Sequence, residues 1–220
     1  MSGLSRRLLI ARMKFVAALD RLRLRRLCRR HAGLEIHPSA ASALAVATFH
    51  IETGGRVRIG AGVATERRWD GVRITVKAGG ELVIGDGAWL RTELGNVIFH
   101  VYEDAHIHVG PGSLLNGCQI SAKVGVELGR KAFVGPGTRV FDADQHDMDG
   151  ERRERRGAVR IGEYAWVASD VTVLRGVEVG DHSVVGARSL VNRSIPPHRI
   201  AYGVPARVHG EVGDRSLARH

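Results

Sequence analysis

Aromatic residues and cysteines are both scarce in this chain of 220 residues. Aromatic residues make up only 5 % of it, whereas glycine occurs 28 times. A low aromatic content suits a narrow core of Val, Ile and Leu, and frequent glycine suits tight corners that need a positive φ. The two cysteines, Cys28 and Cys118, lie in separate regions. They argue against a disulfide framework and favour a reducing compartment.

Long apolar runs are missing near the N-terminus. The longest of them, residues 15–19, is too short to span a bilayer or to form the apolar part of a signal peptide. We therefore expect a cytoplasmic protein, with binding to the inner face of the membrane as the alternative location.

Acidic residues are almost absent from residues 1–31, which contain ten arginines and lysines against Asp20 alone. This arm therefore holds +9 of the net charge of +10, and the rest of the chain is close to neutral. We expect no nucleic-acid partner, because the neutral body offers no aromatic or base-reading groups beside the charge.

The arm is predicted to be a basic amphipathic helix. It contains no proline, and its apolar residues recur at helical spacing with the arginines mainly off the stripe. The stripe consists of Leu4, Leu8, Ala11, Phe15, Ala18, Leu19 and Leu22. Two interpretations remain open. The helix packs on the end of the following domain or on a neighbouring subunit, or it lies on an anionic membrane surface.

A repeat of six residues organises the second half of the chain. Its aliphatic members are Ile161, Val167, Val173, Val179, Val185 and Val191. A period of six fits neither an α-helix nor a long flat strand, and it predicts a parallel β-helix that turns a corner every six residues. Four earlier alternating runs, each closed by glycine, predict further coils at residues 57–60, 82–85, 107–110 and 126–129.

The repeat is interrupted between Val140 and Ile161, where the spacing leaves a long loop, residues 141–160. Long loops on a regular scaffold are common places for function. The loop holds one histidine, His146, flanked by four aspartates. An imidazole can take a proton from a hydroxyl near neutral pH, and Asp142 or Asp144 could fix its tautomer. The alternative is a solvated acidic turn; the loop lacks the glycine and glutamate positions of an EF-hand.

Three motifs complete this pattern, at residues 161–167, 195–197 and 203–207. With the hexapeptide repeat and His146, they resemble the left-handed β-helix acyltransferases, and among them the maltose, galactoside and xenobiotic O-acetyltransferase group. The resemblance is continuous over residues 126–208. It implies an all-β fold, a left-handed parallel β-helix, with the basic amphipathic helix added at the N-terminus. The left hand follows from the resemblance and not from the repeat.

The resemblance also implies a homotrimer with active sites between neighbouring subunits, acetyl-CoA as co-substrate and no required metal. His146 matches the base that activates the acceptor hydroxyl for direct attack on the thioester. Asn116 matches an asparagine that contacts the acceptor. The residues expected to bind the cofactor are Trp166, Ser169, Ala187, Asn192, Arg193 and Arg207. The chain departs from the family at Asp147, where a proline is usual, and at Gly210, where some relatives have a basic residue.

We therefore expect three parts: a helical arm, residues 1–34; a β-helix acyltransferase domain, residues 35–208; and a tail, residues 209–220. The expected activity is acetyl transfer to a hydroxyl of a sugar, a glycan precursor or a similar small molecule. Two alternatives remain. One is a non-catalytic trimeric scaffold or membrane-surface binder. The other is a zinc hydratase of the γ-carbonic anhydrase type, for which His100, His106 and His108 are the candidate ligands.

Overall fold

A computed structural model describes residues 3–218, with side chains from residue 7 onward. The helix α1, Gly3–Arg30, is followed by 22 short strands, numbered β1–β22 in chain order, and by two 3₁₀ helices, Ser42–Val46 and Arg215–Leu217. The strands form three sheets, and the chain visits them in the order sheet 1, sheet 2, sheet 3 in each full coil. All neighbouring strands are parallel except β21 and β22.

Sheet 1 contains β1 (Leu34–Ile36), β3 (Arg56–Ile59), β6 (Glu81–Ile84), β9 (His106–Val109), β12 (Gly125–Leu128), β15 (Val159–Ile161) and β18 (Glu178–Val179). Sheet 2 contains β4 (Ala64–Thr65), β7 (Trp89–Arg91), β10 (Leu114–Asn116), β13 (Phe133–Val134), β16 (Trp166–Val167), β19 (Val184–Val185), β21 (Arg199–Gly203) and β22 (Ala206–Glu211). Sheet 3 contains β2 (Thr48–Ile51), β5 (Val72–Val76), β8 (Val97–Val101), β11 (Gln119–Ala122), β14 (Arg139–Phe141), β17 (Thr172–Val173) and β20 (Leu190–Val191).

The six-residue repeat places one aliphatic side chain inside the coil on each side of the triangle. All six members of the series that begins at Ile161 and ends at Val191 are fully buried. Register confirms the stacking, since Ile161 pairs with Val179, Val167 with Val185, and Val173 with Val191. The predicted parallel β-helix with one continuous core is therefore confirmed.

A coil near the N-terminus contains more residues than a coil in the regular part. This follows from the sequence separation of paired residues, since Val57 pairs with Leu82 near the N-terminus and Ile161 pairs with Val179 in the regular part. The difference lies in sheet 3, because β5 and β8 each bury three side chains and β17 buries one. This widening explains why the period is looser in the first half of the sequence.

The boundaries of the parts differ from those expected. Leu34 is a buried residue of β1, so the helical arm ends before it. Phe141 and Val159 belong to strands, and the extruded segment is therefore residues 142–158. Residues 209–211 belong to β22, which pairs with β21 and is no separate tail. Residues 1, 2, 219 and 220 lie outside the described chain.

Helix α1 packs on the N-terminal end of the β-helix, as one of the two interpretations predicted, but through an unexpected face. Leu24 and Asp20 are buried on this face, and Asp20 Oδ2 accepts a 2.7 Å hydrogen bond from Arg67 Nε. The predicted apolar stripe points the other way, since Leu8 and Phe15 are both 65 % exposed. The side chain of Leu4 lies outside the described residues.

The sequence predicts neither a membrane-spanning segment nor a disulfide framework, and the structure describes both the helix and the two cysteines. No helix within residues 3–218 is long and apolar enough to cross a membrane. Both cysteines are free thiols. Complete burial raises the pKa of the Cys118 thiol to about 12, which makes it a poor nucleophile.

Candidate active site

The extruded segment, residues 142–158, is folded back on itself as an antiparallel hairpin. Ala143 forms an isolated antiparallel bridge with Arg156, and the amide of Asp144 donates to the carbonyl of Arg155 at 3.0 Å. At the base, the amide of Gly157 donates to the carbonyl of Asp142 at 2.8 Å. The chain therefore leaves and re-enters the coil at adjacent points, and the next strand, β15, pairs with β12 without loss of register.

Asp142 fixes the base of the hairpin to the preceding coil. Its side chain is fully buried, and its two oxygens accept hydrogen bonds from the amides of Lys123, Val124 and Gly125 at 2.7–2.8 Å. A buried carboxylate needs such partners to offset its desolvation. Asp142 is therefore an anchor of the loop, in contrast to its expected contact with the histidine.

Two ion pairs hold the sides of the hairpin. Asp144 Oδ1 accepts from Arg175 Nε at 2.7 Å, and this hydrogen bond lowers the pKa of the Asp144 carboxyl. Lys123 Nζ donates to Glu154 Oε1 at 2.7 Å and lowers the pKa of that carboxyl, and it also donates to the carbonyl of Gln145 at 2.9 Å. Lys123 and Glu154 are both largely buried, so this pair is less screened than a surface pair.

His146 is exposed on this hairpin, directly after the residue held by Lys123. Its neighbour Gln145 has a φ of 74°, a left-handed conformation that non-glycine residues seldom adopt. Within residues 3–218 no hydrogen bond joins His146 to Asp142, to Asp144 or to any other group. The imidazole is therefore free to meet a ligand, and the prediction that one of these aspartates orients it in this chain is not met.

The other two aspartates of the loop also organise its backbone. Asp147 accepts from the amide of Glu154 and from Arg153 Nη1, at 2.7 and 2.9 Å. Asp149 accepts from the amides of Glu151 and Arg152. All four aspartates thus have partners inside the protein, which accounts for the acidic composition of the loop.

Sequence reasoning missed Lys123 and Arg175, which fix the hairpin from outside it. Arg175 lies in the regular repeat and carries no signal of its own. Lys123 does carry one, because it is the single lysine or arginine between Arg91 and Arg130. A lone cation in a β-helical coil that precedes an acidic loop indicates a partner in that loop.

The register of the strands places five predicted site residues on the edge where sheet 3 turns into sheet 1. The hairpin follows β14, Val140 pairs with Val173, and Val173 pairs with Val191. The chain therefore leaves sheet 3 at the same edge after each of these three valines. The predicted site residues that follow them are Asp142, Asp144 and His146 of the hairpin, and Asn192 and Arg193 after β20.

The other five predicted residues follow sheet 2 and the edge where it turns into sheet 3. Ser169 and Ala187 are corner residues of successive coils, since Val167 pairs with Val185 and the amide of Arg188 donates to the carbonyl of Ser169. Asn116 ends β10, Trp166 begins β16, and Arg207 lies in β22 opposite Tyr202. Within residues 3–218 of one chain, the two groups therefore occupy different edges.

Most of these side chains face outward. Ala187, Asn192, Arg193 and Arg207 are exposed, and Ser169 is half-buried. Trp166 points away from the core as expected; its ring stacks on Phe133, and the guanidinium of Arg215 lies 5.3 Å from its centroid. The C-terminal segment therefore covers part of the Trp166 ring.

Asn116 differs from the others because it is buried, with only 4 % of its surface exposed. Its side-chain oxygen Oδ1 has no hydrogen-bond partner among the described residues. A buried amide oxygen without a partner costs free energy, so this atom is a point where a ligand or a water would be stabilising.

The histidines named for a zinc hydratase do not converge within the described chain. His106 and His108 lie on β9 in sheet 1, whereas His100 lies on β8 in sheet 3. The structure therefore does not support a three-histidine site from these residues in one chain.

The fold and the extruded loop define the class: an all-β, left-handed parallel β-helix of hexapeptide repeats with an N-terminal helix. The family model described as bacterial transferase hexapeptide (six repeats) matches residues 158–193. Over 137 residues the chain is 31 % identical to the galactoside O-acetyltransferase of Escherichia coli (strain K12). This match covers 60 % of the chain and 64 % of that protein, so the chain spans less than two thirds of the relative's length.

Two solved structures are also similar to this chain. A galactoside acetyltransferase in complex with coenzyme A is 29 % identical with a TM-score of 0.50, and the match covers 63 % of this chain and 67 % of that chain. A polysialic acid O-acetyltransferase has the same fold, with 21 % identity, a TM-score of 0.61, and coverage of 76 % and 87 %. The predicted resemblance to hexapeptide-repeat acyltransferases is thereby confirmed.

Proposed function

We propose that this chain is an acetyl-CoA-dependent O-acetyltransferase whose acceptor is a hydroxyl of a sugar, a glycan precursor or a similar small molecule. The observation that carries the proposal is His146, an imidazole without a partner in the described chain, held on a hairpin that is clamped at its base and sides. The similarity to galactoside O-acetyltransferases supports the same activity. We place the enzyme in the cytoplasm, because both of its cysteines are free thiols, as is usual in a reducing compartment.

In this reaction His146 takes the proton from the acceptor hydroxyl as its oxygen attacks the thioester carbonyl. The new C–O bond forms, the C–S bond breaks, and the imidazolium returns the proton to the departing thiolate. No covalent intermediate with the enzyme is needed. Asp142 and Asp144 act as positioning residues, because they fix the hairpin that carries the imidazole and do not touch it.

The partition of the candidate residues between two edges supports a homotrimer with sites between subunits. In a ring of three subunits each contact is heterologous, so one edge of a subunit meets a different edge of the next. His146 would then face Asn116, Ser169 and Ala187 of its neighbour. The acetyl-CoA arm would follow the corner residues Ser169 and Ala187 and the outward ring of Trp166.

The ends of this site carry the polar groups that the ligands need. Arg193 and Arg207 would hold the nucleotide phosphates, and Asn192 lies beside Arg193 on the same edge. Asn116 would contact the acceptor only after its side chain turns outward, because its Oδ1, which has no partner among the described residues, is buried. No step in this scheme requires a metal ion.

Binding of CoA tests the proposal before any acceptor is known. Calorimetric titration should give one CoA site per chain in a trimeric species. Ala187→Trp should abolish binding, because the large ring fills the corner along which the arm would run. When a panel of sugars and nucleotide sugars is tested with acetyl-CoA, some members should be acetylated. Their acetylation is detected as release of the free thiol of CoA. A folded trimer without affinity for CoA would contradict the proposal and favour a non-catalytic scaffold.

We also propose that α1 binds an anionic membrane surface, because its apolar stripe points away from the β-helix. The described residues of the stripe, all of them exposed, are Leu8, Ala11, Phe15, Ala18, Leu19 and Leu22. Basic residues flank the stripe on both sides, as expected for a helix that lies between headgroups and acyl chains. Trp69, 68 % exposed beside Arg23 and Arg67, adds an aromatic ring of the kind found at membrane interfaces.

The double variant Phe15→Ser, Leu19→Ser should lose most of its binding to vesicles that contain phosphatidylglycerol. The reason is the loss of two apolar side chains that would enter the interface. Co-sedimentation measures the bound fraction, and binding of the natural sequence should fall as salt is raised. Leu217→Ser is the matched control, because Leu217 is 82 % exposed outside α1. Equal binding by all three proteins would contradict the membrane role. A loss of the trimer in the double variant would assign the stripe to subunit packing.

A further inference from the structure

Two histidines stand side by side on the outer face of sheet 1, away from the candidate active site. His106 and His108 alternate with the buried Ile107 on β9, so both side chains leave the strand on the same face. Their ring centroids are 4.9 Å apart. On the adjacent strand β12, Glu127 lies directly opposite His108 in the register.

These three side chains come within reach of a single ion. His106 Nε2 lies 3.7 Å from Glu127 Oε1, and one ligand atom from each of the three residues lies within 4.8 Å of the others. Zinc binds imidazole nitrogen and carboxylate oxygen at about 2.0–2.2 Å, which puts two ligands of a tetrahedral ion about 3.4 Å apart. Small side-chain rotations therefore suffice to close the site.

The backbone leaves room for this arrangement at Gly125. A Cβ atom at this position would lie 2.3 Å from Cε1 of His106, so any other residue would displace the ring. The absent side chain lets the imidazole lie over β12, toward Glu127. This close approach is a second observation, independent of the residue types.

The surrounding charges favour a cation at this point. Glu81, on the other side of β9, lies 3.3 Å from His108 Nε2, and a carboxylate on one ring nitrogen orients the other toward a metal. Arg160 is opposite Glu127 in the register, but its guanidinium is occupied by Glu178 and Asp181, at 2.7 and 3.2 Å. Arg56 is likewise paired with Glu81.

We propose that His106, His108 and Glu127 bind a divalent transition-metal ion of the zinc type. The site has no part in acyl transfer. It joins β9 to β12, the first strand of the coil that ends at the extruded hairpin, and the amide of Gly125, two residues before Glu127, is one of the three that hold Asp142. A bound ion would therefore stiffen the two coils on which the base of the hairpin rests.

Titration of the full-length, untagged protein with zinc chloride tests the proposal. We expect one saturable zinc ion per chain and a rise in the melting temperature with zinc concentration, because a ligand that binds only the folded state stabilises it. His106→Ala and Glu127→Gln should each weaken binding by about tenfold or more. Glu127→Gln keeps the size of the side chain, so its fold is preserved, and circular dichroism verifies this.

His50→Ala is the matched control, because His50 is an exposed histidine on β2 in sheet 3. It should bind zinc like the natural sequence. Equal zinc affinity of the natural sequence, His106→Ala and Glu127→Gln would overturn the site, and so would the absence of saturable binding by the natural sequence. Neither result bears on the CoA titration, which tests the acyltransferase proposal separately.

Discussion

Replacing His146 by alanine should lower kcat for acetyl transfer by about 10²–10⁴-fold, the range that a positioned general base contributes. The affinity for CoA should stay the same, because in the proposed site the imidazole would contact the acceptor and not the nucleotide. His146 has no partner in the described chain, so its removal should leave the hairpin and the melting temperature unchanged. Steady-state release of thiol at saturating acetyl-CoA measures the effect.

Met148→Ala is the control for this variant, because Met148 is exposed two residues further along the same hairpin. It should retain nearly the full rate. Wild-type turnover by His146→Ala with a true acceptor would show that another group takes the proton. A drop of similar size in both variants would indicate a disturbed loop instead of a lost base.

Mixing two inactive variants tests whether sites form between subunits. His146→Ala destroys one edge of each chain, and Ala187→Trp blocks the other. If each site combines these edges from two neighbours, trimers reassembled from both variants contain some contacts with two natural edges. Activity should therefore reappear in the mixture. A mixture as inactive as its parents would place both edges of a site within one chain and contradict the proposed arrangement.

The hairpin shows which part of the site could be predicted from the sequence. His146 stands out because it interrupts a strict repeat, and the length of the interruption follows from the spacing of Val140 and Ile161. The contacts inside the loop could not be predicted in the same way. Asp142 binds the amides of Lys123, Val124 and Gly125, and these partners come from the coil before it. The sequence predicts that Asp142 pairs with His146 in the same loop, whereas in the structure its partners belong to the preceding coil.

The packing face of helix α1 is a second feature that could not be predicted from the sequence. Helical spacing identifies an apolar stripe from its composition, but it does not say whether that stripe packs on the protein. The face that packs on the β-helix includes Asp20, a charged residue that a hydrophobic pattern assigns to the surface. Asp20 is nevertheless buried, because Arg67, 47 positions further along the chain, supplies its partner. Only the three-dimensional contact decides which face turns outward.

The residues of the core, by contrast, could be predicted from the local six-residue repeat. A single charge buried in this core should show that its coils unfold cooperatively. Replacing Val179 by aspartate should unfold several coils. Val179 is fully buried, pairs with Ile161 in the preceding coil and forms a bridge with Ile195 in the following one. A carboxylate there has no partner, and burying it costs several kcal/mol, a large part of the roughly 5–15 kcal/mol that stabilises a typical domain. Urea or thermal unfolding followed by circular dichroism measures the loss.

Val208→Asp introduces the same charge on β22, where the side chain is 47 % exposed, and should melt close to the natural sequence. Protonation of the buried carboxyl would not rescue Val179→Asp, because a neutral carboxyl still lacks hydrogen-bond partners among apolar neighbours. Each coil of a solenoid contacts only the coils beside it, so the damage should spread outward from β18 and reach the regular coils before the wider N-terminal ones. A Val179→Asp protein with an unchanged, cooperative transition would mean that this position does not face the core. The inward assignment of the whole six-residue series would then be wrong.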